Sequence, residues 1–452
     1  MLHPFIRWLA RRGIRWFYAS AQFVGCDNIP DSGPVLLVAS HGNDLTDILM
    51  AFLVTKRDVL FVANVSAADF PIVKWTYAGL GVIPVARTRD ARAMLTRGED
   101  VAALNERAFE RVTAALNEGN IVAIFPEGVV HDLPQLAPLR TGAAKMALTA
   151  ISNGVRNLTL IPVGFQYESP WQPRSDVVAV VGNAVRVDEW QPMHTERAVS
   201  EFTRFIREQL LQVTRNSATW GDAARLSEFA AAGGAVLSDA HNSPTVAAAK
   251  VQRTLTASFG AGASFTAASA DCTILAFERG AEDLCARVSL LGARAWSASD
   301  YATVLHAAGD TTVWCKLPSA VWVAITFPVA AFGAIWHVIP IAASYAFAKA
   351  SAPTPMERAG RAIVPGLYLI ALWYVSIPVV LWLLGASPWF ALVLFLVQPR
   401  LGDFALQWCD RFRTLRLASR ARGAPPADKL ALLQSAKTLR QRWRNLLLIS
   451  IQ

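Results

Sequence analysis

Cysteine is scarce in this chain. Cys26, Cys272, Cys285, Cys315 and Cys409 lie scattered through 452 positions with no C-x-x-C pair among them. An odd, dispersed set supports neither a disulfide framework nor a zinc site. It fits a reducing, cytosolic setting in which each thiol serves as a small buried hydrophobe. No G-x-S-x-G segment occurs, which weakens a serine-esterase reading. Near the start, Arg7, Arg11, Arg12 and Arg15 interrupt any apolar core that a cleavable signal would need. Residues 1–20 instead predict an amphipathic interfacial helix. Phe5, Trp8, Leu9, Trp16 and Phe17 would dip into a bilayer surface, with the arginines at the head groups, or pack on the protein itself. Acid is the minority charge: 34 Asp and Glu against 43 Lys and Arg leave a net +9. With 53 % hydrophobic residues, that excess suits an anionic membrane surface and argues against nucleic acid as a partner.

What is present begins with a chemically dense turn. Leu36 to Ala39 is an apolar β-type run, Ser40-His41-Gly42-Asn43-Asp44 is a polar knot, and a helical pattern resumes through Thr46, Asp47, Met50 and Leu53. Asn43 or Asp44 is placed to cap that helix. On one continuous helix His41 and Asp47 would face different ways, so they can meet only if His41 sits in the turn before it. A histidine whose second nitrogen is held by a carboxylate keeps one tautomer and can take a proton, as a general base must. Asp44 is a rival partner for His41, and the bland alternative is a decorated strand-to-helix turn.

The wider chain reads as an α/β domain over residues 21–215, a mixed sheet flanked by helices. Strands are expected near 23–24, 35–39, 59–65, 82–85, 121–125, 158–163 and 177–181, and helices near 46–54, 72–78, 101–117, 141–151 and 198–213. Residues 216–316 predict a helical insert in which His241 and His306 are surface or capping residues. Residues 317–399 predict a membrane-embedded hairpin: Leu317 to Ala348 and Ile363 to Pro399 are uncharged and exceed the roughly 20 residues a spanning helix needs. Gly385-Ala386-Ser387-Pro388 breaks the second run, and His337 with Pro340 marks a kink in the first. Residues 400–452 form a basic helical tail. The positive-inside rule puts it on the cytoplasmic side together with the α/β domain, a bacterial inner membrane being the natural setting. A hairpin satisfies this, and a half-inserted monotopic arrangement is its rival.

Three further blocks follow the His-Asp turn. They are Gly81-Val82-Ile83-Pro84-Val85-Ala86-Arg87, Ile124-Phe125-Pro126-Glu127-Gly128 and Leu160-Ile161-Pro162-Val163-Gly164. In this order they resemble the glycerolipid acyltransferases, the glycerol-3-phosphate and 1-acylglycerol-3-phosphate acyltransferases, over about residues 22–215. The turn resembles the longer H-x-N-x-x-x-D variant, with Asn43 in the matching place. The third block, with its tail Val129 to Gly142, is similar to the branch of fungal glycerol-3-phosphate acyltransferases and bacterial relatives.

The resemblance implies a membrane-bound O-acyltransferase of phospholipid synthesis. It would move a fatty acyl group from acyl-CoA or acyl-carrier protein to glycerol 3-phosphate or 1-acylglycerol 3-phosphate, with no metal or cofactor. His41 would be the base and Asp47 its orienter. Arg87 would grip the acceptor's phosphate, with Arg89 close enough to be confused with it. Glu127 would bond the acceptor's free hydroxyl while Gly128 lets the backbone approach. The Thr-Arg that commonly follows Glu-Gly is absent, so Arg140 and Lys145, flanking a helix start, are the candidates to assist at the phosphate. Asn43, Gly81 and Pro126 support the blocks, His131 with Asp132 is a reserve dyad, and Ile161 to Gly164 shapes a pocket or is structural. The alternatives are a remodelling lysophospholipid acyltransferase and, from another class, a catalytically silent lipid-binding membrane protein.

Overall fold

The computed structural model describes residues 3–64, 81–86, 100–188, 190, 196–238, 243–259, 272–291, 297–309, 317–352 and 354–449. The expected helix at 72–78, Arg87, Arg89 and His241 lie outside them. The chain divides into two compact units, one made of 1–12, 23–166 and 178–216, the other of 13–22, 167–177 and 217–452.

The sheet is built from β1 (Ser20–Val24), β2 (Val35–Ala39), β3 (Val59–Asn64), β4 (Ile83–Val85), β5 (Ile121–Ile124), β6 (Thr159–Tyr167), β7 (Asp176–Val181) and β8 (Val185–Arg186). Its order is β1-β7-β6-β2-β5-β3-β4, with β8 on β6. β2 is parallel to both β5 and β6, and β3 to β4 and β5, while β8 is antiparallel to β6, so the sheet is mixed. Val35 to Ala39 are each 0 % exposed. A strand covered on both faces has no use for polar alternation, which is why this run is unbroken Val, Leu and Ala. Pro162 sits in the middle of β6, where a missing N–H would normally forbid it. β7 stops at Val181, and Gly182 leaves room for the ring, since a Cβ there would lie 2.7 Å from Pro162 Cγ. Gly164 has the same kind of reason: a Cβ would fall 2.0 Å from the Val213 carbonyl oxygen.

The helices of the first unit include α2 (Asp44–Leu53), α3 (Val101–Asn117), α4 (Gly142–Ser152) and α5 (Glu196–Leu211). Within this unit Arg7, on α1 (His3–Phe17), corrects the expectation of head-group arginines. It is 9 % exposed, stacks over the Phe52 ring at 4.4 Å and donates to the carbonyls of Phe52, Thr55 and Arg57. Carbonyls left open around the end of α2 attract a cation, and Arg7 supplies it.

The second unit is helical: α6 (Trp220–Leu237), α7 (Pro244–Phe259), α8 (Cys272–Leu290), α9 (Ala298–Gly309), α10 (Leu317–Ser351), α11 (Arg358–Leu383), α12 (Pro388–Gly423) and α13 (Pro426–Ile449). Phe229, Val251, Phe277, Val304, Leu417 and Leu439 share one core, so the Ala-rich insert and the basic tail bury apolar surface against each other. Cys285 is buried, whereas Cys26 is half-buried and Cys409 exposed, against the expectation that each would be a core residue. Among the described residues, three helices (Ser319–Ser351, Arg358–Leu383 and Pro388–Gly423) are long and apolar enough to cross a bilayer, which points to membrane association. The break expected at Gly385 is there, with φ +97 in the turn before Pro388, but the helix that follows continues unbroken through the basic residues to Gly423, so the expected hairpin over 317–399 becomes three helices and the tail has no boundary at 400. His337 is 4 % exposed, donating from Nδ1 to the Gly333 carbonyl at 2.7 Å and meeting the Tyr374 hydroxyl with Nε2 at 2.9 Å.

Candidate active site

The site forms where β2 and β5 end side by side. After Ala39 the chain is tied to β6: Ser40 N–H donates to the Val163 carbonyl at 3.0 Å, and Ser40 Oγ accepts from Phe165 N–H at 3.2 Å. His41 follows in the turn, three residues before the helix, as the spacing required. Its Nδ1 lies 3.2 Å from Asp47 Oδ2. A carboxylate can only accept, so Nδ1 carries the proton and Nε2 keeps its lone pair. The same Asp47 oxygen accepts Asn43 N–H at 2.6 Å, tying the carboxylate to the turn as well as to the ring. Asp47 and Asn43 are both 0 % exposed. Asn43 occupies the cap position of α2, but its side chain makes no capping bond there, and Asp44 takes φ +43 as the helix begins, leaving Asp47 as the acid at Nδ1. Phe125, at the end of β5, stacks on the His41 ring at 4.3 Å between centroids.

Glu127 is 1 % exposed, and both of its oxygens receive donors from the protein. Oε1 accepts His41 N–H at 2.6 Å, while Oε2 accepts Ala137 N–H at 2.8 Å and faces His131 Nε2 at 2.5 Å. The group expected to face an acceptor hydroxyl is thus placed between two protein loops. His131 pairs with Glu127 rather than with its neighbour Asp132, which is exposed. Gly128 has φ +68, and a Cβ there would come within 3.2 Å of Arg140 Cγ, so the turn favours glycine and sets Arg140 beside it. Arg140 N–H donates to the Pro126 carbonyl at 2.7 Å, and its side chain is exposed, as is Lys145 in the first turns of α4.

The second block approaches through β4. Gly81 takes φ +64, the strand ends at Val85, and the next residue, Ala86, donates its N–H to Asn105 Oδ1 at 2.9 Å while its carbonyl accepts from Asn105 Nδ2 at 3.2 Å. Arg87 follows outside the described residues. Sequence reasoning missed Asn105, the Phe125 stacking and the Glu127–His131 contact. It also missed Asn216 and Arg207, which hold the Leu136–Ala137 loop by bonds of 2.9 Å to Leu136 N–H and 3.0 Å to the Ala137 carbonyl. Isolated polar residues on helices and loops carry no periodic signal that would single them out. No group of three or more His, Cys, Asp or Glu among the described residues is arranged to hold a metal ion.

Residues 20–166 match the family model described as Acyltransferase. Over these residues the chain is similar to acyltransferases of glycerol 3-phosphate. The acyltransferase domain is 32 % identical over 118 residues to glycerol-3-phosphate O-acyltransferase 2 of Saccharomyces cerevisiae, covering 25 % of this chain and 16 % of that one. Glycerol-3-phosphate O-acyltransferase 1 of the same yeast is 32 % identical over 113 residues, 24 % of this chain and 15 % of the relative. The chain therefore spans about one sixth of the length of these curated relatives. Among solved structures, the 1-acyl-sn-glycerophosphate acyltransferase PlsC of Thermotoga maritima aligns with a TM-score of 0.34 at 16 % identity, over 46 % of this chain and 76 % of that one.

Proposed function

We propose that this protein is a membrane-bound O-acyltransferase that moves a fatty acyl group from a thioester carrier, acyl-CoA or acyl-carrier protein, to glycerol 3-phosphate or 1-acylglycerol 3-phosphate. The observation that carries the reading is the His41–Asp47 contact, which leaves Nε2 of a 9 % exposed imidazole as the available base. In the proposed reaction Nε2 removes the acceptor's hydroxyl proton and the oxygen attacks the thioester carbonyl carbon. Asp47 steadies the imidazolium. The C–O ester bond forms, the C–S bond breaks, and the thiolate leaves with the proton from Nε2. Backbone amides would cradle the intermediate oxyanion. Arg87, with Arg140 and Lys145, would neutralise the acceptor's phosphate. The three apolar helices support a lipid-side substrate supply; an acyltransferase domain on the same cytoplasmic face as the arginines of α12 requires an even number of crossings, so that one of the three helices stops short of spanning.

The test is an assay of the purified protein in detergent, with both thioester carriers, against glycerol 3-phosphate, 1-acylglycerol 3-phosphate and lysophospholipids bearing larger head groups. Strict dependence on a bare phosphomonoester supports the reading, and preference for a larger head group replaces it with a remodelling activity. His41→Ala should abolish transfer while leaving a folded, membrane-bound protein; retained turnover in that variant ends the assignment.

A further inference from the structure

The loop after Glu127 holds a histidine to which the acyl-transfer steps assign no task. Leu133 N–H donates to His131 Nδ1 at 3.2 Å, and His131 Nε2 lies 2.5 Å from Glu127 Oε2. A backbone N–H can only donate, so Nδ1 is an acceptor without a proton. The ring's proton is then on Nε2, pointing at the carboxylate. The backbone of His131's own loop therefore selects its tautomer, and with both nitrogens engaged the ring has no lone pair left to act as a base.

Glu127 passes this constraint on. Its Oε2 is fixed by His131 Nε2–H and Ala137 N–H, and its Oε1 takes the backbone N–H of His41 at 2.6 Å. Turning the carboxylate about its last bond would break contacts at both oxygens. His41 is thus held at three points: its backbone by Glu127, its ring face by Phe125 and its Nδ1 by Asp47. The last two permit sliding and tilting of the ring, whereas the first fixes where the residue begins.

We propose that His131 is a positioning residue for acyl transfer. As a neutral Nε2–H imidazole it locks Glu127, and through Glu127 it fixes the backbone of His41, so that His41 Nε2 stays aimed at the acceptor hydroxyl. The inference rests on the reading of His41 as the general base. It replaces a second dyad with a clamp: the motif after the third strand block serves the first block's histidine.

The experiment uses the full chain in detergent micelles with a thioester donor and a phosphorylated glycerol acceptor, and compares His131→Leu, His131→Gln and His131→Asn. A misplacement of the base costs turnover rather than binding, so His131→Leu should lose kcat on the order of 10²-fold while both KM values stay within about twofold. Gln carries its amide nitrogen to the place of Nε2 and should recover most of that loss. Asn is too short to reach Glu127 and should not. Glu127→Gln combined with His131→Leu should be no worse than Glu127→Gln alone, because both act on one contact.

Wild-type kcat in His131→Leu overturns the proposal. So does an equal loss in the Leu, Gln and Asn variants that tracks their melting temperatures, since that is what a merely structural clasp gives. Should the Leu variant fail to fold, the Gln-against-Asn comparison decides. His41→Ala run alongside separates the two failures. An active His41→Ala refutes the base itself, whereas an inactive His41→Ala beside a fully active His131→Leu refutes the clamp alone.

Discussion

Asp47→Asn is the sharpest probe of the proposed mechanism, because the structure limits what the substitution can change. In a histidine–carboxylate pair the usual hazard of an amide is that its NH2 turns toward the ring and reverses the tautomer. Here Asp47 Oδ2 accepts from Asn43 N–H at 2.6 Å as well as from His41 Nδ1 at 3.2 Å. Two donors converge on that position, so the oxygen of the introduced amide must occupy it and the tautomer is kept. What disappears is the charge. Opposite unit charges 3.2 Å apart, at an effective dielectric of about 20, attract by roughly 5 kcal/mol. That attraction exists only while the imidazole is protonated, in the transition state and not in the resting enzyme. At 1.36 kcal/mol per tenfold, kcat should fall by about 10³- to 10⁴-fold. KM for donor and acceptor should change little, and the melting temperature should hold or rise, because a fully buried carboxylate is replaced by a neutral isostere. Initial rates over a range of acceptor concentrations, with melting curves on the same preparations, check this. A loss smaller than tenfold would show that Asp47 merely orients the ring, or that His41 never carries a proton during turnover.

Three other perturbations follow from particular contacts. Burial, with Glu282 nearby, pushes the Glu278 carboxyl up to about 7 from its ordinary 4.5. A raised carboxylic pKa means stability is full below the unfolded value and is lost as pH rises through the folded one, between about pH 4.5 and 7. Glu278→Gln should therefore raise Tm at pH 8, by the equivalent of about 1 kcal/mol after solvent screening, and leave Tm unchanged at pH 4. Equal effects at both pH values would refute the linkage. Asn105→Ala removes both hydrogen bonds that fix Ala86 next to Arg87. At about 1 kcal/mol each, their loss should raise the acceptor KM roughly tenfold or more, with kcat nearly kept; an unchanged KM would separate this strand end from acceptor binding. Leu384, Trp389 and Phe390, around the α11–α12 turn, are 79 %, 75 % and 55 % exposed. Replacing Trp389 and Phe390 with Ser should weaken binding to anionic vesicles by about 3 kcal/mol, read by co-sedimentation, and wild-type binding would remove this turn from the membrane contact.

Much of the secondary structure was legible from local pattern. Strand Val35–Ala39 and helix Val101–Asn117 lie where the unbroken apolar run and the helical periodicity placed them. Asp100 begins the helix by accepting from Ala102 and Ala103 N–H. The meeting of His41 and Asp47 was also legible, because six residues of spacing across a turn leave one way for the side chains to touch. β6 extends past its expected end to Tyr167, because it runs on beside β7 after β2 has ended at Ala39, and that partner leaves no mark on the local sequence.

By itself, then, the sequence determined most of the described strands and helices of the α/β domain, that an imidazole and an acid flank a single turn, and that the C-terminal third is apolar enough for a bilayer. Those properties depend on residues within a few positions of one another. The tertiary structure alone decided the strand order β1-β7-β6-β2-β5-β3-β4, the burial of Arg7 against the end of α2, and the placement of Glu127 between His41 and His131. Each of the last two joins groups far apart in sequence, Arg7 with Phe52 and Glu127 with His41. Hydrogen-bonding groups shut away from water must find partners wherever the folded chain brings them, and that depends on packing rather than on neighbours in sequence.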